Sequence, residues 1–220
     1  MTKSKPEKSP LDLALEAAIK LASESRWQDI SFREIADEAG LHLTDLYGVT
    51  DKAKLVSALE PWADKAMSAE TADISETPRE RLFDAIMRRF EHMETERAGV
   101  LSMIQGRDRT PRGIAKLVIA RRKTADWAMT AASVDTGDAL RMGAMRLGLI
   151  RITARTETAW KSDDAGDYAR TMATLDAGLV EMEERLGQFS KFRSRFRSGS
   201  GSSEVTSSPH EGHQEEMSEA

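Results

Sequence analysis

Ser31 and Glu34 stand three residues apart. At that spacing a serine oxygen accepts the amide of the third helical residue while the glutamate reaches back to the cap amide. The pair therefore does positional chemistry: it starts a short helix at a defined point. Phe32, Ile35, Ala36 and Ala39 give that helix one apolar face, and Gly40 offers the left-handed conformation that ends it. A second helix is expected from 41 to 47. The whole reads as a helix-turn-helix, in which the second helix is the one that enters a DNA major groove.

Groups able to do covalent or metal chemistry are sparse. His42, His92, His210 and His213 are scattered, and there is no cysteine. No nucleophile elbow, phosphate-binding glycine loop or zincin motif occurs. Asp163 and Asp164 are paired carboxylates, but they fall where a helix needs a cap. The chain is not expected to be an enzyme, and no catalytic residue, metal site or cofactor is assigned.

The elements around the motif are helical. Leu11, Leu15, Ala18, Ile19 and Ala22 form the stripe of a preceding helix, with Ser9 and Pro10 as its cap and first turn. A bridging helix is expected from 51 to about 69, kinked at Pro61. Thr77, Pro78 and Glu80 combine a capping box with a first-turn proline. Further helices are expected near 98–105, 110–133, 138–162 and 164–187. No segment alternates apolar and polar residues as a half-buried strand does, so the fold class is all-α: a three-helix head and a helical-bundle body. With 220 residues and 40% hydrophobic content the chain can bury a full core. The expected organisation is a disordered start at 1–10, a head at 11–58, a ligand-binding and dimerisation body at 59–187, and a basic-aromatic segment with a disordered tail at 188–220. The first residues lack the apolar core of a signal peptide and no run approaches a membrane span, so a cytoplasmic location is expected.

Residues 13–59 resemble the DNA-binding head of the TetR family of bacterial regulators. The resemblance is carried by Ile35-Ala36-Asp37-Glu38-Ala39-Gly40-Leu41, by Leu46-Tyr47, and by Lys52 before an apolar helix. It implies a ligand-responsive transcriptional regulator that binds a palindromic operator as a homodimer. It also implies that Ser31, Arg33, His42, Leu43, Thr44, Tyr47 and Lys52 face DNA, with Lys52 on a phosphate. By position in the body, Trp62, Phe83, Met87, Phe90, Met103, Trp127 and Met145 are expected to wall an apolar ligand pocket. Leu140, Leu147, Ile150, Leu175 and Leu179 are expected at the dimer interface.

Charge adds two features. Residues 11–60 hold five basic against ten acidic side chains, a net charge of −5, so DNA contact must rest on cations gathered on one face. Residues 107–123 are basic, with Arg107, Arg121 and Arg122 among them, and 189–197 interleave Phe189, Phe192 and Phe196 with Lys191, Arg193, Arg195 and Arg197. If helical, the second run has the pattern of a peripheral membrane contact. The C-terminal half is also similar in pattern to the lipid-binding accessory proteins of ubiquinone biosynthesis, which implies an alternative: a TetR-type fold that carries lipid and does not bind DNA.

Overall fold

Ser9 accepts the amide of Asp12 and Pro10 supplies the first-turn geometry, so helix α1 (Pro10–Glu24) begins where the cap and proline predict. The computed structural model describes residues 8–108, 111–135, 137–164 and 166–199, with side chains at 108–115 and from 189 onward outside the description. Of the start expected to be disordered, 1–10, residues 1–7 lie outside the description, as does the tail from 200 onward, while Ser9 and Pro10 are ordered as the cap and first turn of α1. All regular elements among the described residues are helices.

The head consists of α1, α2 (Phe32–Glu38) and α3 (Leu43–Leu46), followed by α4 (Lys52–Asp64). Helix α4 carries Pro61 internally and passes into a tight 3-10 turn at Lys65–Ser68, so the bridging helix is shorter than expected. The body follows as α5 (Pro78–Thr95), α6 (Arg97–Asp108), α7 (Pro111–Ala131), α8 (Ala139–Ser162) and α9 (Ala169–Gly199). Thr77 and Glu80 close the capping box of α5 as their spacing predicts. Asp163 accepts the amides of Arg170 and Thr171, so this carboxylate is a capping group, as expected.

Residues up to Leu186 form one compact unit, in which α1 packs along α6 and α4 against α7. Head and body therefore share a core. Two glycines of α6 permit this. A β-carbon at Gly99 would lie 2.1 Å from the Ile19 carbonyl oxygen, and one at Gly106 would lie 2.4 Å from Trp27 Cδ1. The Trp27 amide also donates to Ser102 Oγ at 3.0 Å. Helices α8 and α9 approach in the same way, with Gly148 against Met182 and Gly178 against Ile152.

Residues from Gly187 form a second unit, whose described part is the end of α9. The helix thus runs to Gly199 and not to 187 as expected. The cations and aromatics proposed for a membrane contact lie outside the described side chains. No helix among the described residues is long and apolar enough to cross a membrane.

Candidate nucleic-acid interface and the cavity behind it

The start of α2 is held as its spacing predicts: the Ser31 amide donates to Glu34 Oε2 at 2.7 Å and the Glu34 amide to Ser31 Oγ at 3.2 Å. Gly40 adopts φ +66° and turns the chain into α3. Helix α3 spans four residues where 41–47 was expected. His42 stays extended as the cap, its amide donating to Asp45 Oδ2 at 2.8 Å, while Tyr47 leaves the helix at ψ 123° and Gly48 turns at φ +75°. Leu46 is fully buried and anchors the element.

The outward surface collects most of the expected DNA-facing set. Arg33, His42, Leu43 and Thr44 are exposed, and Tyr47 is 90% exposed, with Val49 beside it. Ser31 is exposed, but its oxygen is occupied by the cap.

Lys52 departs from expectation. Its ammonium donates to the carbonyls of Trp27 at 2.9 Å and Gln28 at 3.4 Å, and to that of Ile30, and lies 4.6 Å from the centre of the Trp27 ring. Burial lowers its pKa, which marks a cation drawn partly out of water. It holds the α1–α2 connection to α4, where a solvent-facing phosphate ligand was expected. Lys20 pairs with Glu38, Arg26 pairs with Asp29, and Lys54 reaches the Val49 carbonyl. Arg33 is the exposed head cation without such a partner among the described residues.

The residues expected to wall a ligand pocket do not converge on one. Met87, Phe90, Met103 and Met145 are buried in the core. Trp62 packs on His92 with ring centres 4.2 Å apart, Phe83 borders an open groove with Met172, and Trp127 is 42% exposed. Large apolar side chains fill space, whereas a cavity forms where small ones leave it. A half-open pocket lies instead between α4, α6, α7 and the α1–α2 connection, with a volume of about 320 Å³. Ala53, Ser57, Gly106 and Ala120 create the room, Trp27 and Leu117 supply apolar wall, and Lys52, Glu60, Arg107 and Lys116 supply charge.

Behind Glu60 runs a buried ion network that the linear sequence did not reveal. Glu60 accepts from Arg89 at 2.6 Å and from Arg107 at 2.8 Å. Arg89 also reaches Asp64 at 2.8 Å, and Asp64 accepts from Thr124 at 2.8 Å. Arg107 continues to Glu157 at 3.0 Å, where Arg121 and Lys161 join. Burial pushes the Glu157 carboxyl upward, but the guanidiniums of Arg121 and Arg107 outweigh it and hold its pKa at about 2. Asp64 is raised by burial despite Arg89. Arg107 and Arg121, members of the basic run 107–123, are thus interior groups. A signal existed in Arg89, which stands in helical register with Leu82, Ala85 and Met93 on an otherwise apolar stripe.

The dimer candidates divide. Leu140 and Leu147 are 58% and 70% exposed on α8, and Ile150 is half-buried. Leu175 and Leu179 are fully buried inside the subunit. They belong to the subunit's own core, contrary to expectation.

The helical arrangement of the chain matches that of two solved structures over most of its length. The chain has the TetR fold. A TetR transcriptional regulator from Nitrosomonas europaea ATCC 19718 superposes with a TM-score of 0.63 at 21% identity, covering 79% of this chain and 97% of that one. A TetR transcriptional regulator from Rhodococcus sp. RHA1 gives a TM-score of 0.57 at 18% identity, covering 77% and 93%. No family model and no curated protein sequence matches the chain. Among the described residues no cluster of potential metal ligands occurs.

Proposed function

We propose that this protein is a ligand-responsive transcriptional regulator of TetR type that binds DNA as a homodimer. The observation that carries the reading is the outward surface at α3: Tyr47, His42, Leu43 and Thr44 are exposed above a buried Leu46 on a TetR fold. Buried anchoring with exposed polar and aromatic groups is what a groove-reading helix needs. Arg33 supplies the nearby phosphate contact. Helix α4 couples the two functions, because Lys52 at its start grips the head and Glu60 and Asp64 near its end enter the body's ion network. A ligand in the adjacent cavity shifts α4 and with it the spacing of the two heads, favouring a state that no longer matches successive grooves. Leu140 and Leu147 are the surface we assign to the second copy.

Retardation of the DNA flanking the protein's own gene, at low salt, tests this reading. A shift that Tyr47→Ala abolishes supports it. Absence of any shift, with flotation of the full chain on anionic liposomes, favours the alternative of a lipid carrier docked through 189–197.

A further inference from the structure

We propose that the outer face of α7 is a membrane-contact surface that seats the protein on an anionic bilayer. In α7, Ile119, Lys123 and Trp127 follow one another at intervals of four residues, so they form one row along the helix, and Val118 and Arg122 begin the row beside it. All five are exposed, Val118 by 63% and Ile119 by 67%. The opposite side of the same helix serves the subunit, where Arg121, Thr124, Ala125 and Ala128 are buried. Packing within the subunit therefore does not account for two β-branched side chains and an indole turned outward. Apolar residues exposed singly are ordinary, but a contiguous group of them marks an interaction surface.

The charges among these residues select what covers them. Arg122 and Lys123 have no carboxylate partner among the described residues. Asp126, the one acidic residue of α7, is held by Arg146. The face thus presents two unpaired cations and no unpaired acid, although the chain as a whole carries a net charge of −5. An anionic bilayer matches both halves of this pattern. Aliphatic side chains and an indole settle at the boundary between headgroups and acyl chains, while lysine and arginine stems lie along them with their charges at the phosphates. A row on the outside of one helix can lie flat in such a fluid interface, whereas a folded protein partner would have to supply a well-packed pocket for the indole. One short anchor binds a membrane only marginally, and stable attachment takes a second. The sequence holds a second run of the same chemistry, the phenylalanines and cations of 189–197. The α7 contact is additional to that run and does not depend on whether the protein binds DNA.

The test uses the full chain with vesicles of phosphatidylcholine containing phosphatidylglycerol, and with matching vesicles made from brominated phosphatidylcholine, which quenches a tryptophan only on close approach. Of the four tryptophans, Trp127 lies on the face, Trp27 and Trp160 are buried, and Trp62 packs on His92. Wild type should bind the anionic vesicles at low salt and bind pure phosphatidylcholine at least about tenfold more weakly, since each cation near an anionic surface is worth about fivefold. Brominated lipid should quench its emission, and Trp127→Phe should remove that quenching. Lys123→Gln should weaken binding by about fivefold and Ile119→Glu by at least about tenfold, both with an unchanged melting temperature because the sites are exposed. No binding at low salt, equal binding to neutral and anionic vesicles, or Ile119→Glu binding like wild type with no quenching of Trp127 would each overturn the proposal, the last leaving 189–197 as the anchor. An Ile119→Glu protein that sediments as a monomer where wild type is a dimer would also overturn it and assign the face to a second copy. A protein that binds vesicles through α7 and shifts no DNA keeps the membrane surface and loses only the regulator reading; one that shifts DNA and ignores vesicles does the reverse.

Discussion

Gly106 lies so close to the indole of Trp27 that a β-carbon there would stand 2.4 Å from Cδ1. This contact joins the α1–α2 connection to α6 and forms one corner of the cavity. It fixes a prediction with a sign. Alanine is favoured over glycine in a helix by about 1 kcal/mol, yet the added methyl must displace a buried ring, which typically costs about 1–3 kcal/mol. Gly106→Ala should therefore destabilise the wild-type chain in urea denaturation and stabilise a Trp27→Ala background. The same sign in both backgrounds would show that the two residues do not oppose each other.

Lys52 and Tyr47 should separate stability from DNA contact. Lys52→Ala removes the partner of three carbonyls and should cost about 1–3 kcal/mol, lowering the melting temperature by about 2–4 °C per kcal/mol. Tyr47→Ala, at a 90% exposed site, should leave melting within experimental error. Scanning calorimetry of both variants checks this, and equal melting temperatures would contradict the anchoring role of Lys52.

Leu147 and Leu175 lie on adjacent helices but in opposite environments. Leu147→Glu, at a surface 70% exposed, should yield a folded protein that sediments as a monomer. Leu175→Glu, at a fully buried site, should fail to fold. A folded Leu175→Glu monomer would instead place that leucine between subunits.

The ion network gives a pH dependence. The Glu157 carboxyl is depressed from 4.5 to about 2 in the fold, so its contribution is fully present above about 4.5 and is lost as pH falls through about 2. Its magnitude is on the order of 3 kcal/mol. Glu157→Gln should be markedly less stable than wild type at neutral pH, and the gap should close between pH 4.5 and 2. Asp64, whose shift runs the other way, is present in both proteins and largely cancels in the difference. A gap independent of pH would contradict the depressed pKa.

What the sequence made legible was local. The Ser31 and Thr77 capping boxes, the Gly40 turn and the Ser9-Pro10 start each involve residues within a turn of one another, and each formed as read. The site's interior was not legible, because its partners are distant: Arg89 and Glu60 are 29 residues apart, and Arg107 and Glu157 are 50 apart. Phe90 and Met103 were read as pocket walls from their position in the body, but the space opened beside Ala53, Ser57, Gly106 and Ala120, which have too little side chain to fill it. Lys52 was read from position alone, and only the fold could show its ammonium turned onto the Trp27 and Gln28 carbonyls.

The central claim is that the face bearing Arg33 and Tyr47 binds DNA. Fluorescence anisotropy of the labelled flanking DNA, titrated with protein across a range of salt concentrations, tests it most directly. The account predicts saturable binding that weakens with salt, loses about one unit of logarithmic salt slope per head in Arg33→Ala, and is abolished by Tyr47→Ala. Binding by both variants indistinguishable from wild type, or no binding at the lowest salt, would contradict it.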